Sequence, residues 1–401
     1  MKGHFYKPNC KCADKKRCKC NATWTYVIDI GTPTKRRQKK QGGFKTKKEA
    51  QLAAAAVILE VEICTYVHES ETLFKDFVKE WITLYTDTGR AKVSTVRVRI
   101  HESGRLAKEF EGMKLKSITR KSYQAALNSL KLSGLSDSSL NGIHCTGKMI
   151  FRKAVELNYI KIDPTIYAVV PRVQQSVDEA ERNNDIPKYL ERAELSSFLA
   201  AARQSDIDID GPVFITLAYT GVRVGELCAL KWKDINFVDR TLTITKTLYM
   251  PSNNAQKYEL LTPKTKKSRR VLEIDAVVIA ELEAHRFKQN IIRMEHRDIY
   301  KDNDFIFACA KKNFGYPAPA HSVRRAMKRL LQIAGLDLSL SPHSLRHTHT
   351  SLLAEAGVSL EEIMERLGHA NDIMVRRIYL HVTKVMKSEA SRKFSELMSG
   401  I

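Results

Sequence analysis

The sequence predicts a multidomain α+β chain. It has a small basic β-sheet with one helix at the N-terminus, an all-α bundle, and a larger, mainly helical unit with a small antiparallel sheet. Three observations carry this expectation. Charge gathers at one end: residues 1–50 hold 15 Lys/Arg against 3 Asp/Glu, which supplies more than half of the net +22 of the 401 residues. Apolar residues recur at helical spacing from Thr72 to about Arg172. A polar stretch at residues 173–188, VQQSVDEAERNNDIPK, then reads as a linker before the apolar pattern resumes.

The bulk composition is that of a folded globular chain, with 43% hydrophobic residues. A pI near 9.6 points to a polyanionic partner, and nucleic acid fits best. No apolar run approaches the roughly 18 residues of a membrane helix. The longest, AQLAAAAVILEVEI, is broken by Glu60 and Glu62. The opening MKGHFYKPNC lacks the apolar stretch of a signal peptide, so a cytoplasmic location without a membrane partner is expected.

The N-terminal module, residues 1–66, carries CKCADKKRCKC, which crowds Cys10, Cys12, Cys18 and Cys20 together. Thiols this close in a reducing compartment suit a tetrahedral zinc site that braces a module too small for its own core. The C-x-C pairs are tighter than the usual C-x-x-C knuckle, so a metal-free cluster stays open beside zinc. Cys64, Cys145, Cys228 and Cys309 are scattered and read as reduced thiols. TWTYVIDIG alternates like a strand. TPTKRRQKKQ returns as a very basic one with Arg36, Arg37, Lys39 and Lys40, and Gly42-Gly43 is expected to end it. A helix follows in FKTKKEAQLAAAAVILEVE, with Thr46 as N-cap and Glu49 three residues on. A short basic sheet backed by a helix suits duplex DNA.

Residues 72–172 read as a helical bundle. TLFKDFVKEWITLYTD sets Phe74, Phe77, Val78 and Trp81 on one stripe. STVRVRIHESGRLAKEF, TRKSYQAALNSL and SDSSLNGIHCTGKMIFRKAVELNYI continue the pattern until Asp163-Pro164 closes it. Arg97, Arg99, Lys121 and Lys148 punctuate the polar faces. Residues 189–401 form the last unit, opening with YLERAELSSFLAAA.

That unit holds the residues that can carry chemistry. In AYTGVRVGELCALKWKDI an apolar helix meets a turn at Thr220-Gly221, and a new helix starts with Arg223 and Glu226. TPKTKKSRRVLEI, between the strand-like runs RTLTITKTLYM and RRVLEID, is a basic hairpin with Lys264 near its base. In SPHSLRHTHTSLLAEAGV, Pro342 opens a helix with His343 and Arg346 three apart, and His347 starts a more inward stripe. SLEEIMERLGHANDIMVRRIYLHV ends a helix at Leu367-Gly368, puts His369 at the turn and carries Tyr379 on the next helical stretch. Alone, each has a bland reading: an R-x-x-E pair is usually a helix salt bridge, and a tyrosine near a helix end is usually structural.

Together they describe phosphoryl transfer. Two guanidiniums suit the oxygens of a phosphodiester whose negative charge grows in the transition state. A lysine on a hairpin can protonate a leaving oxygen, and imidazoles can move protons or hold a phosphate oxygen. A phenol, with an ordinary pKa of about 10, is a poor nucleophile unless a cationic site favours the phenolate. The sequence offers neither a carboxylate cluster for Mg²⁺ nor a glycine-rich phosphate loop. The chemistry is therefore expected to run on protein cations and a covalent intermediate.

On these residues the sequence closely resembles the tyrosine recombinase family, specifically the phage-type, lambda-like site-specific integrases of prophages and integrative conjugative elements. The family's Arg, Lys, His-x-x-Arg, His/Trp and Tyr fall on Arg223 in TGVRVGEL, Lys264 in PKTKKSRR, His343 and Arg346 in HSLRH, His369 in LGH, and Tyr379 in IYLHV. The resemblance implies that residues 1–66 are an arm-type DNA-binding domain, 72–172 a SAM-like core-binding domain, and 189–401 the catalytic domain. It implies cleavage and rejoining of DNA at attachment sites through a 3′-phosphotyrosine intermediate and a Holliday junction, without a cofactor. His343, Arg346 and Arg223 would activate the scissile phosphate, Lys264 would protonate the 5′-hydroxyl, His369 would hydrogen-bond the phosphate, and Tyr379 would attack. His347 and Glu226 would support them, and His349 reads as structural. The implied partners are double-stranded DNA with core-type and arm-type sites, a homotetramer whose tail KSEASRKFSELMSG packs on a neighbouring protomer, a host DNA-bending factor and an excisionase. A type IB-like topoisomerase or resolvase is the near rival, and the N-terminal module counts against it. A DNA-binding regulator on the same fold is the distant rival, and the intact residue set counts against that.

Overall fold

The computed structural model describes residues 3–8, 10, 12, 20–30, 38–62, 71–172, 188–252, 254–263, 266–368 and 373–399, with only the backbone for 384–394, 396 and 397. The chain divides into two compact units, residues 1–174 and 175–401. No helix among the described residues is long and apolar enough to cross a membrane.

The first unit contains two separate cores. The smaller lies under a three-stranded antiparallel sheet, β1 (His4–Tyr6), β2 (Trp24–Asp29) and β3 (Gln38–Phe44), with β2 in the middle and α1 (Lys47–Glu62) behind it. Tyr26, Ile28 and Ala54 are its buried centre, and Phe5, Phe44 and Val57 pack around them. Thr46 and Glu49 form the expected reciprocal cap: the Glu49 N–H donates to Thr46 Oγ1 at 3.1 Å and the Thr46 N–H to Glu49 Oε2 at 3.4 Å.

Two features of this sheet differ from the sequence expectation. β1 was not foreseen, because three residues are too few for an alternation signal. Gly42-Gly43 does not end β3; the strand runs on to Phe44. The register steps from Tyr26↔Gln41 to Trp24↔Phe44, so both glycines face Thr25 alone. That is a β-bulge. Gly43 takes φ +97°, and a Cβ on Gly42 would meet Thr25 Oγ1 at 2.6 Å. Arg36, Arg37 and Cys18 lie outside the described residues.

The larger core of this unit belongs to four helices, α2 (Phe74–Asp87), α3 (Val93–Glu109), α4 (Arg120–Leu132) and α5 (Asp137–Glu156). Phe74, Phe77, Val78 and Trp81 are buried as their spacing predicts, and Phe110, Tyr123 and Phe151 complete an aromatic centre. Each such side chain contributes roughly 1.5–3 kcal/mol of burial. Thr119 and Ser136 cap α4 and α5 with hydroxyls that accept from Ser122 and Ser139 N–H.

In the second unit, α6 (Arg192–Arg203), α7 (Asp210–Thr220), α8 (Val224–Leu227), α9 (Ala276–Glu295) and α10 (Ala320–Ile333) surround small antiparallel sheets. β4 (Ile235–Asn236), β5 (Thr241–Ile244) and β8 (Arg270–Glu273) form one, while β6 (Thr247–Tyr249) and β7 (Glu259–Leu261) form a two-stranded ribbon. The single hairpin read from sequence is thus split: β5 pairs with β8, and β6 with β7. Phe198, Phe214, Leu227, Leu242, Ile306, Phe307 and Met327 are among the buried centre. α11 (Pro342–Glu355), α12 (Leu360–Leu367) and α13 (Ile373–Met398) close the chain around Ala354, Ile363, Leu367, Val375, Ile378 and Val382.

Candidate active site

α7 is buried along almost its whole length and stops at Gly221, whose φ of +61° closes the helix in the left-handed region. A Cβ there would stand 2.7 Å from His349 Cδ2 and 2.8 Å from Leu367 Cδ2. Glycine therefore lets α7, α11 and α12 meet at one point. Two residues on, Arg223 is the N-cap of the four-residue α8. Its guanidinium lies 2.7 Å from Glu226 Oε1, and its own N–H donates to Glu226 Oε2 at 3.2 Å.

Glu226 is nearly inaccessible and has a second cation. Arg270 on β8 donates from Nη2 to Glu226 Oε2 at 3.0 Å, from Nε to the Arg366 carbonyl at 2.8 Å, and from Nη1 to the Ser268 carbonyl at 3.1 Å. Burial alone would raise the Glu226 carboxyl, but Arg270 and Arg223 outweigh it and hold it below its ordinary value. It stays a carboxylate flanked by two guanidiniums.

Arg346 is central. It is only 2% exposed. Nη1 donates to the Gly221 carbonyl at 2.6 Å and Nη2 to the Leu367 carbonyl at 2.7 Å. One guanidinium thus grips the backbone two residues before Arg223 and two residues before His369. Its neighbour His343 is exposed at the first turn of α11, with its ring 4.8 Å from and edge-on to that of His347, which is 9% exposed. The expectation that His343 and Arg346 share a face holds by spacing, yet one is open and the other enclosed.

His349 is buried, and its ring Nδ1 lies 2.9 Å from the Ala218 carbonyl while Nε2 accepts from Arg366 Nε–H at 3.2 Å. Nδ1 therefore carries the proton. Burial, then the charge of Arg366, pushes its pKa down to about 3. It braces α7, α11 and α12, and this agrees with a structural role.

Lys264 and His369 lie outside the described residues. The segments that lead to them meet. Ser268 Oγ donates to the Gly368 carbonyl at 3.4 Å, and a Cβ on Gly368 would lie 3.0 Å from Arg270 Nη1 and 3.1 Å from the Lys267 carbonyl. Gly368 closes α12 with φ +69°. Tyr379 sits half-buried on α13 and packs against the Ile363, Leu367 and Ile378 cluster. Arg223, His343, Arg346 and Tyr379 thus belong to elements joined at the Gly221–Leu367 crossing.

Arg270 and Arg366 were not singled out from sequence. A signal for Arg270 was present: in RRVLE it shares a strand face with buried Leu272, and an arginine on an inward face demands an acidic partner. Chemically, Arg223 and Arg270 flank one carboxylate, Arg346 and Arg366 bind the backbone and His349 at the neighbouring crossing, and the His343 imidazole is exposed at the start of α11. Guanidiniums gathered in this way can bind an anion and stabilise negative charge that develops on it.

Residues 188–386 match the phage integrase family, and residues 15–61 match an arm DNA-binding domain. A tyrosine recombinase XerC-like protein of Caldanaerobacter subterraneus subsp. tengcongensis is 25% identical over 365 residues, 88% of this chain and 90% of that one. An integrase of Streptomyces ambofaciens is 27% identical over 373 residues, 91% of this chain and 90% of its own. Among solved structures, the Tn1549 transposon integrase in complex with a circular intermediate DNA superposes with a TM-score of 0.61 at 21% identity, over 80% of this chain and all of that one.

Proposed function

We propose, from the premise that this chain belongs to the phage integrase family and is a tyrosine-type site-specific DNA recombinase, that it integrates or excises a mobile element at attachment sites. The observation that carries the assignment of residues is the double grip of Arg346 on the Gly221 and Leu367 carbonyls, which draws the Arg223 turn and the turn before His369 onto the helix of His343.

In this reading Arg223 and Arg346 clamp the non-bridging oxygens of the scissile phosphate, and His343 and His369 hydrogen-bond it. The Tyr379 phenolate oxygen attacks phosphorus. The P–O5′ bond breaks, and Lys264 gives its proton to the leaving 5′-oxygen. The bond energy is kept in the 3′-phosphotyrosine, so a 5′-hydroxyl from the partner strand reverses the step without ATP. Two rounds pass through a four-way junction in a homotetramer. Residues 1–66 bind arm-type sites, 72–172 bind core-type sites, 173–188 link them to the catalytic residues 189–401, and the end of α13 docks on a neighbouring protomer. A host DNA-bending factor and an excisionase set direction, in the cytoplasm of a bacterial host. The chemistry needs no cofactor.

The test is a nicked attachment-site duplex that traps the covalent step, incubated with the protein in chelator and without ATP. A protein–DNA adduct on a denaturing gel, lost in Tyr379→Phe while DNA binding persists, is the expected result. Specific binding with no adduct in the native chain would replace this reading with that of a DNA-binding regulator.

A further inference from the structure

We propose that Cys10, Cys12 and Cys20 bind a zinc ion as thiolates, and that this ion clamps the long β1–β2 connection so that the basic sheet holds its DNA-binding shape only when metal is present. The metal half of this statement stands on geometry alone; the DNA half rests on the recombinase reading.

The sulfur positions carry it. Cys20 Sγ lies 3.7 Å from Cys10 Sγ, and the ligand atoms of all three cysteines lie within 4.8 Å of one another. Zinc–sulfur bonds of about 2.3 Å directed to a tetrahedron give sulfur–sulfur edges of about 3.8 Å. A disulfide would need about 2.05 Å. The separation therefore fits ligands around one ion and not a covalent bridge. Cys18 completes the C-x-C pairs in sequence but lies outside the described residues. The three described thiolates leave one tetrahedral position, which a water fills. A thiolate-rich set in a reducing compartment favours zinc among the divalent ions.

Location gives the ion its task. β1 and β2 pair antiparallel as far as Tyr6↔Thr25, and residues 7–23 connect them. Cys10 follows Tyr6 by four residues and Cys20 precedes Trp24 by four, so they face each other across the neck of that connection. Lys7 already spans it weakly, with Nζ 3.4 Å from the Cys20 carbonyl. A clip at the neck removes the closure entropy of the connection. The module needs one, because its buried apolar centre among the described residues is small: Tyr26, Ile28, Ala50 and Ala54. β1 in turn supports the basic strand: Lys40 Nζ of β3 lies 5.7 Å from the centre of the Tyr6 ring. Freeing β1 removes that support. The arm DNA-binding match begins at residue 15, so Cys10 and Cys12 precede it and the clamp ties them to Cys20 inside it.

The full-length chain, purified without chelator, is assayed for metal by plasma emission. One zinc per chain is expected, lost in Cys10→Ser and Cys20→Ser and retained in the exposed-cysteine control Cys145→Ser. Cobalt(II) in its place should show thiolate-to-metal charge transfer and tetrahedral d–d bands, whose intensity tells four thiolates from three. Stripping zinc should weaken binding to an arm-type duplex by about tenfold or more, while stripped and untreated protein form the core-site adduct equally. No zinc and no cobalt–thiolate band, iron in its place, or a Cys10–Cys20 disulfide in reducing buffer would overturn the site. Arm-site affinity indifferent to zinc would overturn the clamp. Zinc present with no adduct counts against the recombinase reading alone.

Discussion

Arg346 lies on a helix, yet almost none of it reaches solvent. Its charge is tolerated because the Gly221 and Leu367 carbonyls accept from its two terminal nitrogens, and charged hydrogen bonds of this kind contribute roughly 1.5–3 kcal/mol each. A lysine offers a point charge and not a planar fork, so it would lose one of the two carbonyls. His349 shows the same economy with the opposite charge outcome. It donates to Ala218 and accepts from Arg366, with Arg346 adding repulsion to any proton, so only the neutral ring fits. Its pKa falls from an ordinary 6.5 to about 3 on folding. The unfolded chain then binds the extra proton between those values. Its contribution to stability is whole above pH 6.5 and is lost as pH falls towards about 3, with a slope of up to about 1.4 kcal/mol per pH unit. Denaturant midpoints measured across that range should fall less steeply for His349→Gln, which keeps a donor and an acceptor but does not titrate. An unchanged slope in the variant would contradict this.

At the scale of elements, Glu226 and Arg270 join β8, α8 and the end of α12. Arg270→Ala leaves a buried carboxylate with Arg223 alone, and breaking such a pair costs about 3–5 kcal/mol. Arg270→Met with Glu226→Leu should recover much of the stability in urea titrations, yet cleavage of the trapping duplex should stay low because Arg223 has lost the carboxylate that orients it. A single Arg270→Ala variant within about 1 kcal/mol of the native chain would show the pair to be marginal. These elements also mark where the sequence was legible. The α2 stripe, the Thr46/Glu49 cap, Pro342 at the start of α11 and Gly368 at the end of α12 are local signals, and the structure follows them. What the sequence hid was non-local. Arg270 meets residues 44 and 96 positions away. The glycine pair in β3 could only be told from a strand end by its pairing with Thr25. The enclosure of Arg346 follows from three elements crossing, and no spacing within α11 reports it.

At the scale of the molecule, a net +22 with its excess at the N-terminus and a cluster of guanidiniums in the second unit both call for a polyanion. Phosphate contacts position such a protein on DNA and make its affinity fall with salt. The proposed reaction goes beyond DNA binding, because it has Tyr379 on α13 take a phosphate bond into the protein. The most direct measurement is mass mapping of the trapped adduct. After nuclease and protease digestion, one nucleotide-bearing peptide is expected, with the nucleotide on Tyr379 through its 3′-phosphate. A nucleotide on another residue, a 5′-linkage, or DNA cleaved with no peptide attached would contradict it.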